Sequence, residues 1–273
     1  FPRLAALAEV AWTQPWHKNW RSFLVAMDKF NEHLSAKGIV FACSMYNIQH
    51  TVTPVNGKLQ VRLECERPDV EIRYTVDGKE PTDRSLLYKN PLMVTDTQTI
   101  KCATYRAGRQ MGKILTLPLA WNKATAKPVL GNKQAGKILV NGIRGSLRQS
   151  DFEWHSWESS DSVAFTIDLQ KKELLRSVSV GCITNYGMAA HKPADIEVWV
   201  SNNNRDYRKV SGKQFTDGEI FREGTFKEDV VLDLNKEIGR YVRIIAKGVG
   251  ECPATHVRPG QEARIYFDEV MIE

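Results

Sequence analysis

The hydrophobic pattern of this sequence changes its period once, near residue 47, and this change limits the fold more than any single motif does. Before the change, apolar side chains recur at steps of four and three, at Trp16, Trp20, Phe23, Met27, Phe30 and Leu34. This spacing is typical of one helix face. After the change, segments such as 59–65 and 72–76 alternate apolar and polar residues, which is typical of half-buried strands. The sequence therefore predicts a helical first part followed by β structure.

The first twelve residues are strong helix formers, with Leu4, Leu7, Ala8 and Ala11 on one face. A break at Thr13-Gln14-Pro15 separates this helix from the longer stripe, and Gly38 is a plausible end of the second helix. The chain opens on Phe1, already inside a helical pattern. We therefore expect it to continue a longer protein, and we assign residues 1–47 to helices that pack on a neighbouring domain.

The β part is predicted to comprise two sandwiches separated by a linker. Residues 48–122 hold short strands and the turn pair Asp77-Gly78, which indicates a small antiparallel sandwich. Residues 123–137 lack periodicity and contain Pro128 and two glycines, so we predict a linker. Residues 138–273 alternate again and are interrupted by long loops at 141–162 and 247–263, which favours a jelly-roll sandwich.

Composition excludes some classes of function. The net charge is +6, but basic and acidic residues are interspersed along the chain, so we expect a solvated surface and no nucleic-acid partner. No apolar run reaches the roughly 18–20 residues that a membrane span needs. We also find no nucleophile motif, phosphate loop or metal-ligand spacing.

The five cysteines show no C-x-x-C spacing, which argues against a zinc site. Cys65 and Cys102 alternate onto apolar strand faces, so they are either buried free thiols or a disulfide between the two sheets.

Three segments resemble parts of one family of enzymes. Residues 1–12, Trp20-x-x-Phe23 and Gly38-Ile39 resemble the last helices of family-20 glycoside hydrolase barrels, the exo-acting β-N-acetylhexosaminidases. Residues 72–82, with Leu87-Tyr88, resemble the Ig-like domain that follows this barrel in many bacterial members. The third part resembles the discoidin-like (coagulation factor 5/8 C-type) domain, also known as a family-32 carbohydrate-binding module. Its matching segments are 141–146, 166–169, 195–201, 241–244 and 267–270.

This resemblance implies a mainly β chain. Residues 1–47 would be the end of a (β/α)8 barrel, 48–122 an Ig-like sandwich, 123–137 a linker and 138–273 a discoidin-like jelly-roll module. The family's catalytic Asp-Glu pair, in a His-x-Gly-Gly-Asp-Glu stretch, is not in this sequence. The neighbouring pair Asp268-Glu269 stands in a different context. We therefore expect this chain to be catalytically inactive on its own, and its parent to be a bacterial, periplasmic or extracellular hexosaminidase that removes terminal N-acetylhexosamine.

The resemblance also implies a sugar site in the loops of the last domain. Sugar recognition needs an exposed aromatic face and a few polar groups. The candidate residues are Trp154, His155, Tyr186, His191, His256 and Arg258. Trp154 is expected outside the core and Trp157 inside it. The expected partners are glycans ending in N-acetylhexosamine or galactose, together with the catalytic barrel. The alternative is an appendage that packs on the barrel or mediates dimerisation without binding sugar.

No cofactor is required, but related modules often hold a structural calcium ion. Here Glu269 matches the usual glutamate ligand, and Asn141 stands where an aspartate is common. Because this asparagine removes one negative charge, the resemblance predicts a calcium site that is weak or absent.

Overall fold

The structure is a computed structural model that describes residues 2–132, 134–158 and 162–273. Its helices are α1 Pro2–Trp12, α2 Trp20–Ala36 and α3 Asp217–Ile220. Its strands are β1 Gln49–Val55, β2 Lys58–Glu64, β3 Glu71–Thr75, β4 Leu86–Leu87, β5 Leu92–Val94, β6 Gln98–Arg106, β7 Arg109–Gln110, β8 Leu115–Leu119, β9 Val129–Leu130, β10 His155–Glu158, β11 Ser162–Asn185, β12 Asp195–Ser201, β13 Arg208–Gln214, β14 Thr225–Lys247 and β15 Arg264–Ile272. Phe1 of the predicted opening helix and Lys133 of the predicted linker lie outside the described residues. The predicted mainly β fold is confirmed.

The N-terminal helices differ from the predicted continuous stripe. Helix α2 begins at Trp20 because the Asn19 side chain caps it, its Oδ1 accepting a hydrogen bond from the Ser22 N–H at 3.0 Å. Trp16 is therefore in a separate 3₁₀ turn, and it is exposed. The face that α2 buries consists of Leu24, Met27, Asn31 and Leu34. Trp20 and Phe30 of the predicted stripe are exposed instead.

Helix α2 is attached to the first β region through one buried arginine. The Arg67 guanidinium lies 2.8 Å from Asp28 Oδ2 on α2 and 2.7 Å from Asp69 Oδ2. Arg106 contacts the same two carboxylates, and the Tyr46 hydroxyl donates a hydrogen bond to Asp28 at 3.0 Å. The hydrogen bond from Arg67 lowers the pKa of Asp69. We call these five residues the Arg67 cluster.

Two sheets build the first β region. One has the order β1-β2-β5, and the other has the order β4-β3-β6-β7 with β8 also paired to β6. Alternate residues of β2, among them Leu59 and Val61, face the core between the sheets, as the sequence pattern predicts. Asp77-Gly78 does not form a two-residue hairpin. It opens a longer connection in which β3 pairs with the short strand β4.

The second β region is a jelly roll in which two long strands bend together. Strands β11 and β14 pair along nearly their whole length, with a shift in register between Asp168 and Glu173. Before the bend they lie in one layer beside β12 and β13, and after it β11 pairs with β15 in the other layer. The core between the layers includes Phe165, Ile244 and Phe267. Trp157, which was predicted inside the core, is half-buried and stacks on Phe165 at the edge of the core.

The predicted linker is packed between the two β regions. Ala124 and Ala135 are buried in the second core, whereas Ala126 is buried in the first. The segment also contains strand β9, which pairs with β11. Small apolar side chains, rather than regular periodicity, allow this segment to fill the junction, and the sequence pattern does not reveal this.

The loop that follows the junction packs on the first β region. Ile143 belongs to the first core, and the Ala120 N–H donates a hydrogen bond to the Gly142 carbonyl at 2.9 Å. The imidazole of His50 lies 3.3 Å from the Glu153 carboxylate. The loop at 141–154 is therefore part of the contact between the two β regions.

A buried ion pair crosses strand β11 in the second region. The Asp268 carboxylate, fully buried, accepts hydrogen bonds from Arg144 Nε and from the Gly145 N–H, both at 2.9 Å. Arg144 also pairs with Asp229. Gly181 leaves the space for this contact, because a Cβ there would overlap Asp268 Oδ1 and lie 2.6 Å from Arg144 Nη2.

All five cysteines are free thiols, so the disulfide between Cys65 and Cys102 that the sequence left open does not form. Cys102 is buried, and burial raises the pKa of its thiol to about 12. Cys65 is half-buried and its thiol points at the Met45 carbonyl. Among the described helices, none has the length and apolarity needed to cross a membrane.

Candidate functional site

Two loops that are far apart in sequence meet at one end of the jelly roll. Tyr186 follows directly after β11, and His256 belongs to the loop before β15. Their rings lie 4.0 Å apart, and the His191 ring lies 5.1 Å from His256. Phe221, which follows α3, packs edge-on against His191 at 4.9 Å. We call these four rings the aromatic cluster.

Backbone hydrogen bonds hold the two loops in place. The His191 N–H donates to the Arg264 carbonyl at 3.0 Å, which attaches the first loop to the start of β15. The second loop closes on itself, because the Gly260 N–H donates to the Cys252 carbonyl at 2.9 Å. The geometry of the aromatic cluster therefore depends on β15 and on the closed loop together.

The two histidines of the cluster are buried and neutral near pH 7. His191 is 1% exposed and His256 is 4% exposed. Burial is the main cause that lowers the pKa of His191 to about 4 and that also lowers the pKa of His256. A sugar hydroxyl cannot reach the buried ring nitrogens of His191 and His256. These two predicted contact residues instead pack against the ring of Tyr186.

The accessible part of this end is formed by Tyr186, Phe221 and Arg258. The two aromatic side chains are half-buried, and the arginine is exposed. The Arg258 guanidinium reaches Gln261 Oε1 at 3.1 Å and Met188 Sδ at 3.5 Å. Half-exposed rings beside an exposed guanidinium offer the apolar face and the hydrogen-bond donors that a sugar requires.

The first predicted loop does not join this end. Trp154 is 6% exposed, so the prediction that it lies outside the core is wrong. Its indole N–H donates to the Ser146 carbonyl at 3.0 Å, and the indole covers Gly145, where a Cβ would overlap it. His155 begins β10 and packs edge-on against Trp157 at 4.3 Å. Neither residue contacts the aromatic cluster through a described ring contact.

Sequence reasoning missed Phe221 and Cys252 at this end. The capping box between Thr216 and Glu219 marks the start of α3 and so places a turn just before Phe221, but nothing local indicates which way that ring points. Cys252 is buried beside Ala189 and Ala263. Only the tertiary fold brings both residues to the aromatic cluster.

The predicted calcium ligands lie near each other at the junction. Glu269 Oε2 accepts a hydrogen bond from the Gly142 N–H at 3.0 Å, whereas Glu269 Oε1 is buried without a partner. The side-chain oxygen of Asn141 accepts a hydrogen bond from the Ile143 N–H, and its amide donates to Glu153. Burial raises the pKa of Glu269 well above its usual value.

These donors do not fit a calcium ion. Calcium takes six to eight oxygen ligands, usually including several carboxylates. Asp268 beside this site is already paired with Arg144. The amide nitrogen of Asn122, which lies close enough to affect the pKa of Glu269, is a hydrogen-bond donor and is also unpartnered. A neutral carboxyl group or a bridging water fits this pair of groups better than a cation does.

The Glu269→Gln variant tests this interpretation. Because folding raises the pKa of Glu269, this carboxyl group ionises at a lower pH in the unfolded state than in the folded state. The stability of the wild type is therefore full below the ordinary pKa near 4.5 and falls as the pH rises toward the raised value. We expect the variant to lack this fall in denaturant unfolding measured from pH 4 to 8, and we expect added calcium to leave both proteins unchanged. A calcium-dependent rise in melting temperature that the variant loses would instead make Glu269 a ligand.

The sequence matches two known domain families. Residues 53–116 match the chitobiase/beta-hexosaminidase C-terminal domain family, and residues 124–257 match the F5/8 type C domain family. A β-hexosaminidase of Porphyromonas gingivalis is 30% identical over 122 residues, which are 42% of this chain and 15% of that protein. The match therefore spans only a small part of the length of this relative.

Several solved structures are also similar. A chitosan-binding module of a Paenibacillus chitosanase/glucanase is 14% identical, with a TM-score of 0.37, over 56% of this chain and 98% of that one. A family-32 module of Clostridium perfringens, solved with GalNAc-β-1,3-galactose, is 17% identical, with a TM-score of 0.34, over 52% and 86%. By sequence, residues 53–116 are similar to the chitobiase/beta-hexosaminidase C-terminal domain family and residues 124–257 to the F5/8 type C domain family.

Proposed function

We propose that this chain is the non-catalytic C-terminal part of an exo-β-N-acetylhexosaminidase, and that its discoidin-like domain binds carbohydrate. The observation that carries the proposal is the meeting of the Tyr186 loop and the Arg258 loop at one end of the jelly roll. The domain would keep the catalytic barrel near its glycan substrates by raising their effective concentration.

The three accessible side chains would contact different parts of the sugar. Tyr186 and Phe221 offer ring faces for the C–H side of a sugar, and Arg258 donates hydrogen bonds to its hydroxyls. About 50 Å² of covered sugar contributes roughly 1 kcal/mol at about 25 cal/mol per Å². Since a millimolar dissociation constant corresponds to about −4 kcal/mol, most of the remaining free energy has to come from hydrogen bonds. Arg258 should therefore contribute a large share of the binding free energy.

The proposed ligands are glycans that end in N-acetylhexosamine or galactose, because these accompany the substrate class of the hexosaminidases that the chain resembles. The proposed location is the periplasm or the cell exterior, where an exported hexosaminidase would meet them. His191 and His256 hold the ring of Tyr186 from below and do not touch the sugar.

Titration calorimetry of the whole chain tests the proposal. We expect weak, saturable binding of at least one among N-acetylglucosamine, N-acetylgalactosamine and galactose. Arg258→Ala should weaken it about 10-fold or more, because a charge-assisted hydrogen bond contributes roughly 1.5–3 kcal/mol. Arg205→Ala is the matched control, since Arg205 is exposed in the turn after the far end of β12. A folded wild type that takes up no sugar at millimolar concentrations, or equal loss in both variants, would contradict the proposal.

A second candidate function is a structural appendage that binds no sugar. The observation in its favour is the burial of Trp154 and the packing of the 141–154 loop on the first β region, which uses one predicted sugar loop as an interface. The exposed apolar side chains of α1 and α2, such as Leu4, Leu7 and Trp20, would then contact the catalytic barrel. The absence of any heat in the calorimetry would favour this second function.

A further inference from the structure

Three groups that can bind a metal ion converge at the aromatic cluster, two of them its own histidines. His191, Cys252 and His256 are all buried, and one ligand atom from each lies within 4.8 Å of the others. Among the histidine, cysteine, aspartate and glutamate side chains of the described residues, no other group of three or more meets this spacing. Both histidines also bury an Nε2 atom that has no hydrogen-bond partner. Such atoms are rare in folded proteins and require an explanation.

We propose that His191, Cys252 and His256 bind a zinc ion. Zinc takes imidazole nitrogen at about 2.0–2.1 Å and thiolate sulfur at about 2.3 Å in tetrahedral geometry. The three ligand atoms, now within 4.8 Å of one another, would have to move closer together to reach these distances. The ion would satisfy the two unpaired nitrogens at once. A water molecule would complete the fourth position.

The surroundings of His191 suit a metal ligand. Its Nδ1 lies 3.2 Å from the Ile220 carbonyl, which can only accept, so Nδ1 carries the ring hydrogen. Nε2 therefore keeps its lone pair free for the metal. A hydrogen bond from the second ring nitrogen to a backbone carbonyl is the arrangement that commonly orients a metal-binding histidine.

His256 has to change one contact. Its Nδ1 accepts a hydrogen bond from the Arg258 N–H at 3.0 Å, so in the metal-free form Nε2 carries the hydrogen. Binding through Nε2 moves that hydrogen to Nδ1 and breaks this bond. One neutral hydrogen bond is small beside three bonds to zinc. Binding should therefore also move the backbone at 256–258.

The thiol of Cys252 supplies the third ligand. In the metal-free form Cys252 is a buried free thiol. When zinc binds, the S–H bond breaks, the proton leaves to solvent, and the sulfur electron pair forms the bond to zinc. One proton is released for each ion, and the ion with its ligands keeps one positive charge. No oxidation is involved.

Cobalt substitution tests the site without using sugar binding as the readout. The whole chain, reduced and freed of metal with a chelator, is titrated with Co²⁺. We expect one equivalent to produce a sulfur-to-cobalt charge-transfer band in the near ultraviolet, and Zn²⁺ to abolish it. Cys252→Ser should lose this band, whereas Cys43→Ser, which removes an exposed thiol, should keep it. Arg258→Ala should also keep it, which separates this test from the calorimetry.

A measurement on the wild type covers the case in which Cys252→Ser fails to fold. X-ray absorption of the zinc-loaded chain should show one sulfur and two imidazole ligands at one zinc per chain. Binding well below one equivalent, coordination by oxygen alone, or a cobalt band that persists in a folded Cys252→Ser variant would overturn the proposal.

Discussion

Replacing Arg67 with alanine should release helix α2 from the first β region. Arg67 is 3% exposed and bridges Asp28 on the helix to Asp69. Its removal leaves two carboxylates close together with only Arg106 to neutralise them. Breaking a buried pair from one side costs about 3–5 kcal/mol, and we expect the lower value because both carboxylates are partly exposed. About 3 kcal/mol corresponds to roughly a 100-fold increase in opening of the helix.

Hydrogen exchange of the α2 amides measures this opening directly, which matters because a chain with more than one core does not unfold in a single step. Arg62→Ala is the control. Arg62 pairs with Glu64 on an open surface, where such pairs contribute about 0–1 kcal/mol. Exchange of α2 that is equally slow in the wild type and in Arg67→Ala would show that the helix is held by its apolar face alone.

Replacing Gly181 with alanine should strongly destabilise the second β region. A Cβ at this position overlaps Asp268 and crowds Arg144, so either strand β11 moves or the buried ion pair breaks. Overpacking costs about 1–3 kcal/mol, and a broken buried pair costs about 3–5 kcal/mol. We expect a loss of at least about 3 kcal/mol.

Exchange of the β11 and β15 amides, measured with urea unfolding, tests the effect of Gly181→Ala. The matched control is Gly218→Ala, since a Cβ at Gly218 in α3 meets no atom within 4 Å. The control should be unchanged or up to about 1 kcal/mol more stable, because alanine restricts the unfolded chain. If the two variants were equally stable, the strand would have room for the methyl group, and the ion pair would tolerate displacement.

The regular elements could be predicted because their signals are local. Alternation in 59–65 reports directly on a strand with one buried side, and Leu59 and Val61 are buried as expected. The helical stripe was less accurate. Asn19 caps α2 at its start and so excludes Trp16 from the helix, and the stripe of apolar residues does not show this boundary. The buried face of α2 differs from the predicted stripe because Arg67 and Tyr46, which are distant in sequence, bind one side of the helix through Leu24 and Asp28.

The candidate site was only partly predictable. Tyr186, His191, His256 and Arg258 do meet, because both loops adjoin strands that share one end of the jelly roll. Trp154 was misplaced because its burial depends on a close approach to Gly145 and on the Ser146 carbonyl. Neither contact follows from the pattern of the loop itself. Which side of a loop residue faces water is a tertiary property, and periodicity carries no information about it.

The packed junction between the two β regions has a consequence for how the proposed enzyme would move over its substrate. Because Ala126 and Ile143 pack in the first core and His50 lies against Glu153, the end of the jelly roll proposed to bind sugar is held in place and does not move as it would on a flexible tether. A tethered module samples many distances, whereas this one holds a single spacing from α2. The proposed enzyme would therefore favour glycan surfaces on which the chain end bound by the jelly roll and the chain end cleaved by the barrel lie one fixed distance apart.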